Sequence, residues 1–302
     1  MTRPDVQALL DLLPAATGAP TLQTTRDNMR AFAALADLPE PPLATASELS
    51  TAPVRALLLD PREQREPGPV VVWFHGGGFV SGGIDTHRAF AADMALRLDL
   101  PVVLVDYQLA PEAPYPAAVD DAEEIARWLA ANPSELGREV TGLVIGGDSA
   151  GGTMTIVTAM ALRDRPAPVP VLAQVVLYPG TDLTADYPSQ QEFASGYMLT
   201  TESRKFYYDC YDPVRTDVRA SPLLGDLAGL PPAVVLTAGL DPVRDEGRAY
   251  AAALVTTGVP TSYIEAVGNI HAFVVMRKAV PSSITDIERA LTALRAHLVV
   301  QN

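Results

Sequence analysis

The hexapeptide Gly147-Asp148-Ser149-Ala150-Gly151-Gly152 constrains this chain more than any other stretch. It follows the apolar run Leu143-Val144-Ile145 and precedes a helix-like segment over residues 153–163. A Gly-x-Ser-x-Gly between strand and helix is the setting of a nucleophile elbow, in which a serine occupies a sharp turn and lifts its Oγ above the sheet. Glycines permit the close chain approach such a turn needs, because they add no Cβ. The helix that follows would aim its free N–H groups and the positive end of its dipole at a developing oxyanion. A chance match is the competing reading, and the flanking strand and helix weigh against it.

On either side, strand and helix patterns alternate. Continuous apolar runs at 70–74, 102–105, 173–178 and 233–237 read as strands buried on both faces, with further strand-like regions at 54–59 and 261–267. Helical spacing marks 86–98, 117–131, 242–257 and an amphipathic segment over 282–300. This alternation gives an α/β fold with a mostly parallel central sheet and helices on both faces. Two short helices, 5–13 and 24–36, precede the break Pro39-Glu40-Pro41-Pro42 and read as an appendage outside the sheet, either a lid or a packing pair. Between Pro188 and Pro231 an insertion holds Phe193, Tyr197, Phe206, Tyr207, Tyr208 and Tyr211, a dense set of rings for a chain that is 6% aromatic. It either closes over a bound group or packs the insertion onto the body.

The 302 residues, 48% of them hydrophobic, suffice for a large α/β core. A net charge of −14 argues against nucleic acid and against an anionic membrane surface as partners. No run reaches transmembrane length, and Met1-Thr2-Arg3-Pro4-Asp5 lacks the apolar centre of a signal peptide, so the expectation is a soluble cytoplasmic protein. There is no Cys/His cluster for zinc and no phosphate-binding glycine loop ending in Lys-Ser/Thr; neither metal nor cofactor is expected. The single cysteine, Cys210, excludes an intrachain disulfide and reads as packing within the aromatic stretch.

A serine hydroxyl needs a base to take its proton, and the base needs a partner to orient it. The order expected in this class of fold is Ser, then Asp/Glu, then His. Of four histidines, His75 and His87 precede Ser149, and His297 lies inside the last helix; His271, just after the last strand, remains as the candidate base. Spacing leaves two candidate acids. Asp241 follows the strand at 233–237 and would cap the next helix, with Pro242 in its first turn, while Asp182 also follows a strand end. Asp245 and Glu246 fall a turn into that helix and should point away from the rim of the sheet. Backbone N–H groups for an oxyanion would come from Ala150 and from the loop His75-Gly76-Gly77-Gly78, where side chains would obstruct a substrate.

These residues carry a family resemblance. His75-Gly76-Gly77-Gly78-Phe79, Tyr107-Gln108-Leu109-Ala110-Pro111-Glu112, the Ser149 hexapeptide, Ser221-Pro222, Leu230-Pro231-Pro232-Ala233, the run from Asp241 to Gly247 and the His271 loop together resemble the bacterial hormone-sensitive-lipase-like, or family IV, carboxylesterases. The match spans roughly residues 70 to 275. It implies an α/β-hydrolase fold with a helical cap: cap helices in 1–45, a first body segment in 46–187, a cap insertion in 188–219 and a second body segment in 220–302. It implies a triad of Ser149, Asp241 and His271, deciding against Asp182, and an oxyanion hole of the Gly77, Gly78 and Ala150 N–H groups. Substrates would be small-molecule esters of short to medium acyl chains, with no cofactor. Family members are often dimers, so a homodimer is compatible, though no sequence feature demonstrates one. Two positions depart from the pattern: Ala272 stands where glycine is usual, and Gln108 where arginine is usual. If position 272 needs positive φ, alanine would strain the loop. An amidase or arylformamidase would use the same triad, and sequence does not separate it. A non-catalytic receptor of this fold, as in plants, lacks the histidine that this chain keeps.

Overall fold

In the computed structural model, which describes residues 1–13 and 21–299, every apolar run singled out above becomes a strand of one eight-stranded sheet. The strands are β1 (Thr45–Glu48), β2 (Ala56–Asp60), β3 (Gly68–Phe74), β4 (Val102–Val105), β5 (Val140–Asp148), β6 (Val171–Leu177), β7 (Ala233–Leu240) and β8 (Thr261–Ile270). Their spatial order is β1-β2-β4-β3-β5-β6-β7-β8. The β1–β2 and β2–β4 pairings are antiparallel and the rest parallel. Only β1 has no counterpart in the sequence reading. Its Thr-Ala-Ser-Glu is largely exposed at the sheet edge, where pairing on one side demands no apolar run.

The helices are α1 (Pro4–Leu12), α2 (Leu22–Ala36), α3 (Ile84–Leu98), α4 (Ala117–Ala130), α5 (Ala150–Asp164), α6 (Pro188–Glu192), α7 (Thr201–Tyr211), α8 (Arg244–Thr256) and α9 (Ser283–Val299). The expected end of the last helix at Val300 lies outside the described residues. Alternate residues of each strand face opposite layers. Leu57, Leu59, Val71, Trp73 and Leu104 pack toward α3 and α9. Ala56, Leu58, Val72, Phe74 and Val105 pack toward α4 and α5. Val176 and Val235 meet Ile156 of α5 and Tyr250 of α8 on that second side. The sheet is therefore covered on both faces, which explains runs without polar alternation.

The N-terminal helices lie outside the sheet, as expected, and are tied firmly to the body. Thr21 caps α2 by accepting from the Thr24 N–H at 3.2 Å. Beyond its far end, Asp37 accepts from Arg277 Nε at 2.7 Å and Nη2 at 2.8 Å, with the Arg277 side chain 1% exposed. The N–H groups of Lys278 and Ala279 both donate to Ala36 O at 2.9 Å. In the insertion, Arg204 of α7 pairs with Glu246 of α8 at 2.9 Å. Glu246 is fully buried and also accepts from the Thr181 N–H at 2.9 Å, in the loop that follows β6. This corrects the expectation that Glu246 points away from the rim: its carboxylate turns toward it. Among the described residues, no helix is long and apolar enough to cross a membrane.

Candidate active site

The candidate residues follow the ends of β3, β5, β7 and β8, along one edge of the parallel part of the sheet, the usual place for a site on such a sheet. Register does most of the positioning. Phe74 lies opposite Gly147, so the loop from His75 emerges beside Ser149. Leu240 lies opposite Ile270, so Asp241 and His271 follow directly paired residues. That last pairing is out of step with Ala238 opposite Ala266: β8 carries two extra residues in a bulge that includes Gly268 at φ 75°.

Ser149 joins β5 to α5 with φ 53° and ψ −116°, a conformation costly for a side-chain-bearing residue. Its N–H donates to Leu177 O at 2.9 Å, pinning the turn to β6. A Cβ on Gly151 would overlap the Phe74 carbonyl oxygen, so the turn requires glycine there. His271 Nε2 lies 2.8 Å from Ser149 Oγ, and His271 Nδ1 lies 2.6 Å from Asp241 Oδ2. Because a carboxylate only accepts, Nδ1 carries the proton and Nε2 presents its lone pair to the serine. Asp241 is fully buried and His271 7% exposed, which shields this chain of bonds from water.

Asp241 Oδ1 accepts from the Val243 N–H at 3.0 Å, leaving Oδ2 for the imidazole. The expected helix cap is thus displaced: α8 starts at Arg244 with Val243 at the cap position, and Asp241 caps the turn ahead of it. Asp182, the rival acid, accepts instead from the Thr184 N–H at 2.8 Å and from Tyr187 Oη at 3.1 Å, away from His271.

The glycine loop is bound to the residue before the serine, through the Gly76 N–H donating to Asp148 Oδ1 at 3.0 Å. Gly77 and Gly78 have φ of 130° and 63°, and among the described residues neither N–H has an acceptor. Ala150 is the first residue of α5, where helical N–H groups lack partners within the helix. Above the loop, the Tyr207 ring of α7 lies so close to Gly78 that a Cβ there would approach it to 2.5 Å.

Sequence reasoning did not single out the support beneath the serine. Asp148, 1% exposed, also meets His87 Nε2 at 3.3 Å and Tyr178 Oη at 3.3 Å. Burial pushes its carboxyl up, but His87, His75 and the Gly76 N–H outweigh that and hold it below the ordinary carboxylate range. Tyr178 also packs on His271, ring centres 4.8 Å apart. The signal available was an acid inside the hexapeptide with a histidine upstream. His75 stacks on Tyr107 at 4.2 Å, and burial, then repulsion from His87, pushes its imidazole down to about 4. His297 bonds Ser262 Oγ at 3.1 Å, a packing role. Gln108 anchors its loop by donating from its N–H and its Nε2 to Asp121 at 2.8 and 3.0 Å. Cys210 is half-buried against the core, and burial raises its thiol.

Fold and geometry define a hydrolase-like α/β protein with a serine at a strand–helix turn. A family model described as alpha/beta hydrolase fold matches residues 71–275. Carboxylesterase NlhH of Mycobacterium tuberculosis is 34% identical over 99% of this chain and 98% of its own. Ethyl acetate hydrolase of Pseudomonas putida is 34% identical over 84% of this chain and 81% of its own. Among solved structures, ester-hydrolase EH1AB1 from the metagenome of Lake Arreo, in complex with a bipyridine phosphonate derivative, superposes with a TM-score of 0.91 at 36% identity over 98% and 99% of the two chains. The chain belongs to the hormone-sensitive-lipase-like carboxylesterases of the α/β-hydrolase superfamily. It is a carboxylic ester hydrolase.

Proposed function

We propose that Ser149, His271 and Asp241 act as the catalytic triad of an esterase for short- to medium-chain acyl esters. The observation that carries this is the continuous bonded chain from Ser149 Oγ through His271 to Asp241, at 2.8 and 2.6 Å. Ser149 Oγ attacks the ester carbonyl carbon while His271 Nε2 accepts its proton, and Asp241 stabilises the imidazolium that results. The carbonyl oxygen gains negative charge and is met by the N–H groups of Gly77, Gly78 and Ala150. As the tetrahedral intermediate collapses, the carbon–oxygen bond to the alcohol breaks and His271 returns the proton to it. Water then repeats the sequence on the acyl-enzyme and releases the acid.

Segments 1–45 and 188–219 act as a cap over the body of 46–187 and 220–302. The preference for short acyl chains is supported by Tyr207 lying against Gly78, which lowers the ceiling over the oxyanion loop. The relative named for ethyl acetate points the same way. The test is p-nitrophenol release from acetate, butyrate, octanoate and palmitate esters, with Ser149→Ala beside the wild type. Activity should peak at short chains and fall by more than about 10⁴-fold in the variant. A Ser149→Ala protein that keeps its rate would remove the triad, and a maximum at palmitate would remove the chain-length assignment. Amide substrates assayed in parallel separate an esterase from an amidase.

A further inference from the structure

Building on the reading of Gly77 and Gly78 as oxyanion donors, we infer that Arg26, on the N-terminal helix α2, is a positioning residue that holds the oxyanion loop in its working geometry. The Gly77 carbonyl and the Gly78 N–H belong to one planar trans peptide and point in opposite directions. Whatever fixes Gly77 O therefore aims the Gly78 N–H. Gly77 O accepts from the Val80 N–H at 3.1 Å, the Ser81 N–H at 3.0 Å and Ser81 Oγ at 3.0 Å. The orientation of the donor peptide thus depends on where Val80 and Ser81 are held.

Arg26 holds them. Its Nε donates to Val80 O at 2.8 Å, and its Nη2 donates to Ala110 O at 3.1 Å. Ala110 is itself joined to the glycine loop, its N–H donating to Phe79 O at 2.8 Å. One guanidinium therefore clamps the end of the oxyanion loop to the neighbouring 107–112 loop. Val80 and Ala110 are fully buried. Removing the donor would leave their inward carbonyls short of a partner, and moving the loop is the way to recover one. Glu112 accepts from Nη1 and Nη2 at 2.7 Å each, which sets the plane of the fork, although Glu112 itself is 60% exposed. One turn along α2, Met29 Sδ lies 3.2 Å from Ser81 Oγ, so the same helix face touches both ends of the Val80–Ser81 step. Lysine, with a single point of charge, cannot span two carbonyls and a carboxylate in one plane. The N-terminal helix in this way reaches the reacting atoms through the loop backbone, without contacting substrate.

The experiment measures kcat and KM for p-nitrophenyl acetate, together with thermal midpoints, in wild type, Arg26→Ala, Arg26→Gln, Arg26→Lys, Glu112→Gln and Ser149→Ala. A misaimed donor costs rate rather than binding, so Arg26→Ala should lower kcat by about tenfold or more, with KM within about threefold. Millimolar guanidinium should restore part of that rate, and Arg26→Lys should stay nearer alanine than wild type. Glu112→Gln, which keeps both carbonyl bonds, should cost less than about threefold in kcat. If the alanine variant does not fold, Arg26→Gln carries the same comparison. An unchanged kcat in a folded Arg26→Ala protein would overturn the clamp. So would a Glu112→Gln loss as deep as that of Arg26→Ala, which would place the effect in the ion pair. Activity surviving in Ser149→Ala would instead remove the underlying triad reading, whatever Arg26 does.

Discussion

Ala272, the residue after His271, turns the chain through the left-handed region at φ 63° and ψ 17°. The departure from glycine noted in the sequence therefore falls where a Cβ is penalised, by about 1–2 kcal/mol for an L-residue in this conformation. Glycine would relieve that penalty while costing about 0.4–1 kcal/mol through its freer unfolded chain. Ala272→Gly should raise stability by about 1 kcal/mol, read from urea unfolding, with kcat within about twofold. A loss of stability would show that the Ala272 methyl, packed at the edge of the core, contributes more than the strain removes.

Asp37 and Arg277 fasten the N-terminal helices to the body, and that pair decides how the cap can be tested. Cutting away the first 40 residues removes Asp37 and strands a guanidinium that is 1% exposed. Breaking one side of a buried pair costs about 3–5 kcal/mol, because the other charge stays in the interior. Arg277 keeps one bond to Asp93 at 2.9 Å, which softens the loss. Asp37→Ala should destabilise by about 3 kcal/mol in urea unfolding. A change below about 1 kcal/mol would mean that water reaches Arg277 freely; deletion of the helices would still remove Arg26 from the oxyanion loop, so its effect on substrate preference has to be read beside Arg26→Ala.

The order of strands and helices was legible because a sheet covered on both faces needs uninterrupted apolar runs, as in Val70–Phe74 and Val102–Val105. Ser149 stood out by its motif and His271 by chain order among four histidines, whereas spacing left both Asp241 and Asp182 open until the family resemblance decided between them; the three side chains of Ser149, His271 and Asp241 lie within bonding distance. What stayed hidden depends on contacts between segments far apart in the chain. The bulge before His271 is written in Gly268, but its two-residue slip arises only against β7. Glu246 was expected to point away from the rim because its partners, Arg204, 42 positions earlier, and the Thr181 N–H, are set only by the folded chain. Arg26 gave no signal at all, since its acceptors Val80 O and Ala110 O are backbone atoms more than 50 residues away.

His75 makes stability depend on pH. Its imidazole is held down to about 4 in the folded chain, against an ordinary value of 6.5. Between those values the unfolded chain takes up a proton that the folded chain refuses. Stability that is complete above about pH 6.5 is therefore lost as pH falls toward 4, by up to about 3 kcal/mol from this group. Urea midpoints should decline over that window, and an NMR titration of the His75 ring should show no protonation above pH 5. A ring that titrates above pH 6 would refute the burial account.

Arg204 and Glu246 join α7, which carries Tyr207, to the rim of the sheet. Burial pushes the Glu246 carboxyl up, opposed by Arg204 and by the Thr181 and Asp182 N–H groups. Arg204→Met leaves that carboxylate without its cation and should cost about 3 kcal/mol; Glu246→Gln leaves Arg204 buried without its anion and should cost a similar amount. Once one charge is gone, removing the other relieves the burial, so the double variant should be about 2 kcal/mol more stable than the sum of the single losses predicts. The same variants should raise KM for p-nitrophenyl butyrate, because α7 no longer holds Tyr207 against Gly78. Strictly additive losses would mean that the pair is solvated and that α7 is held by its aromatic contacts, chiefly Tyr211 stacked on Phe79 at 3.9 Å.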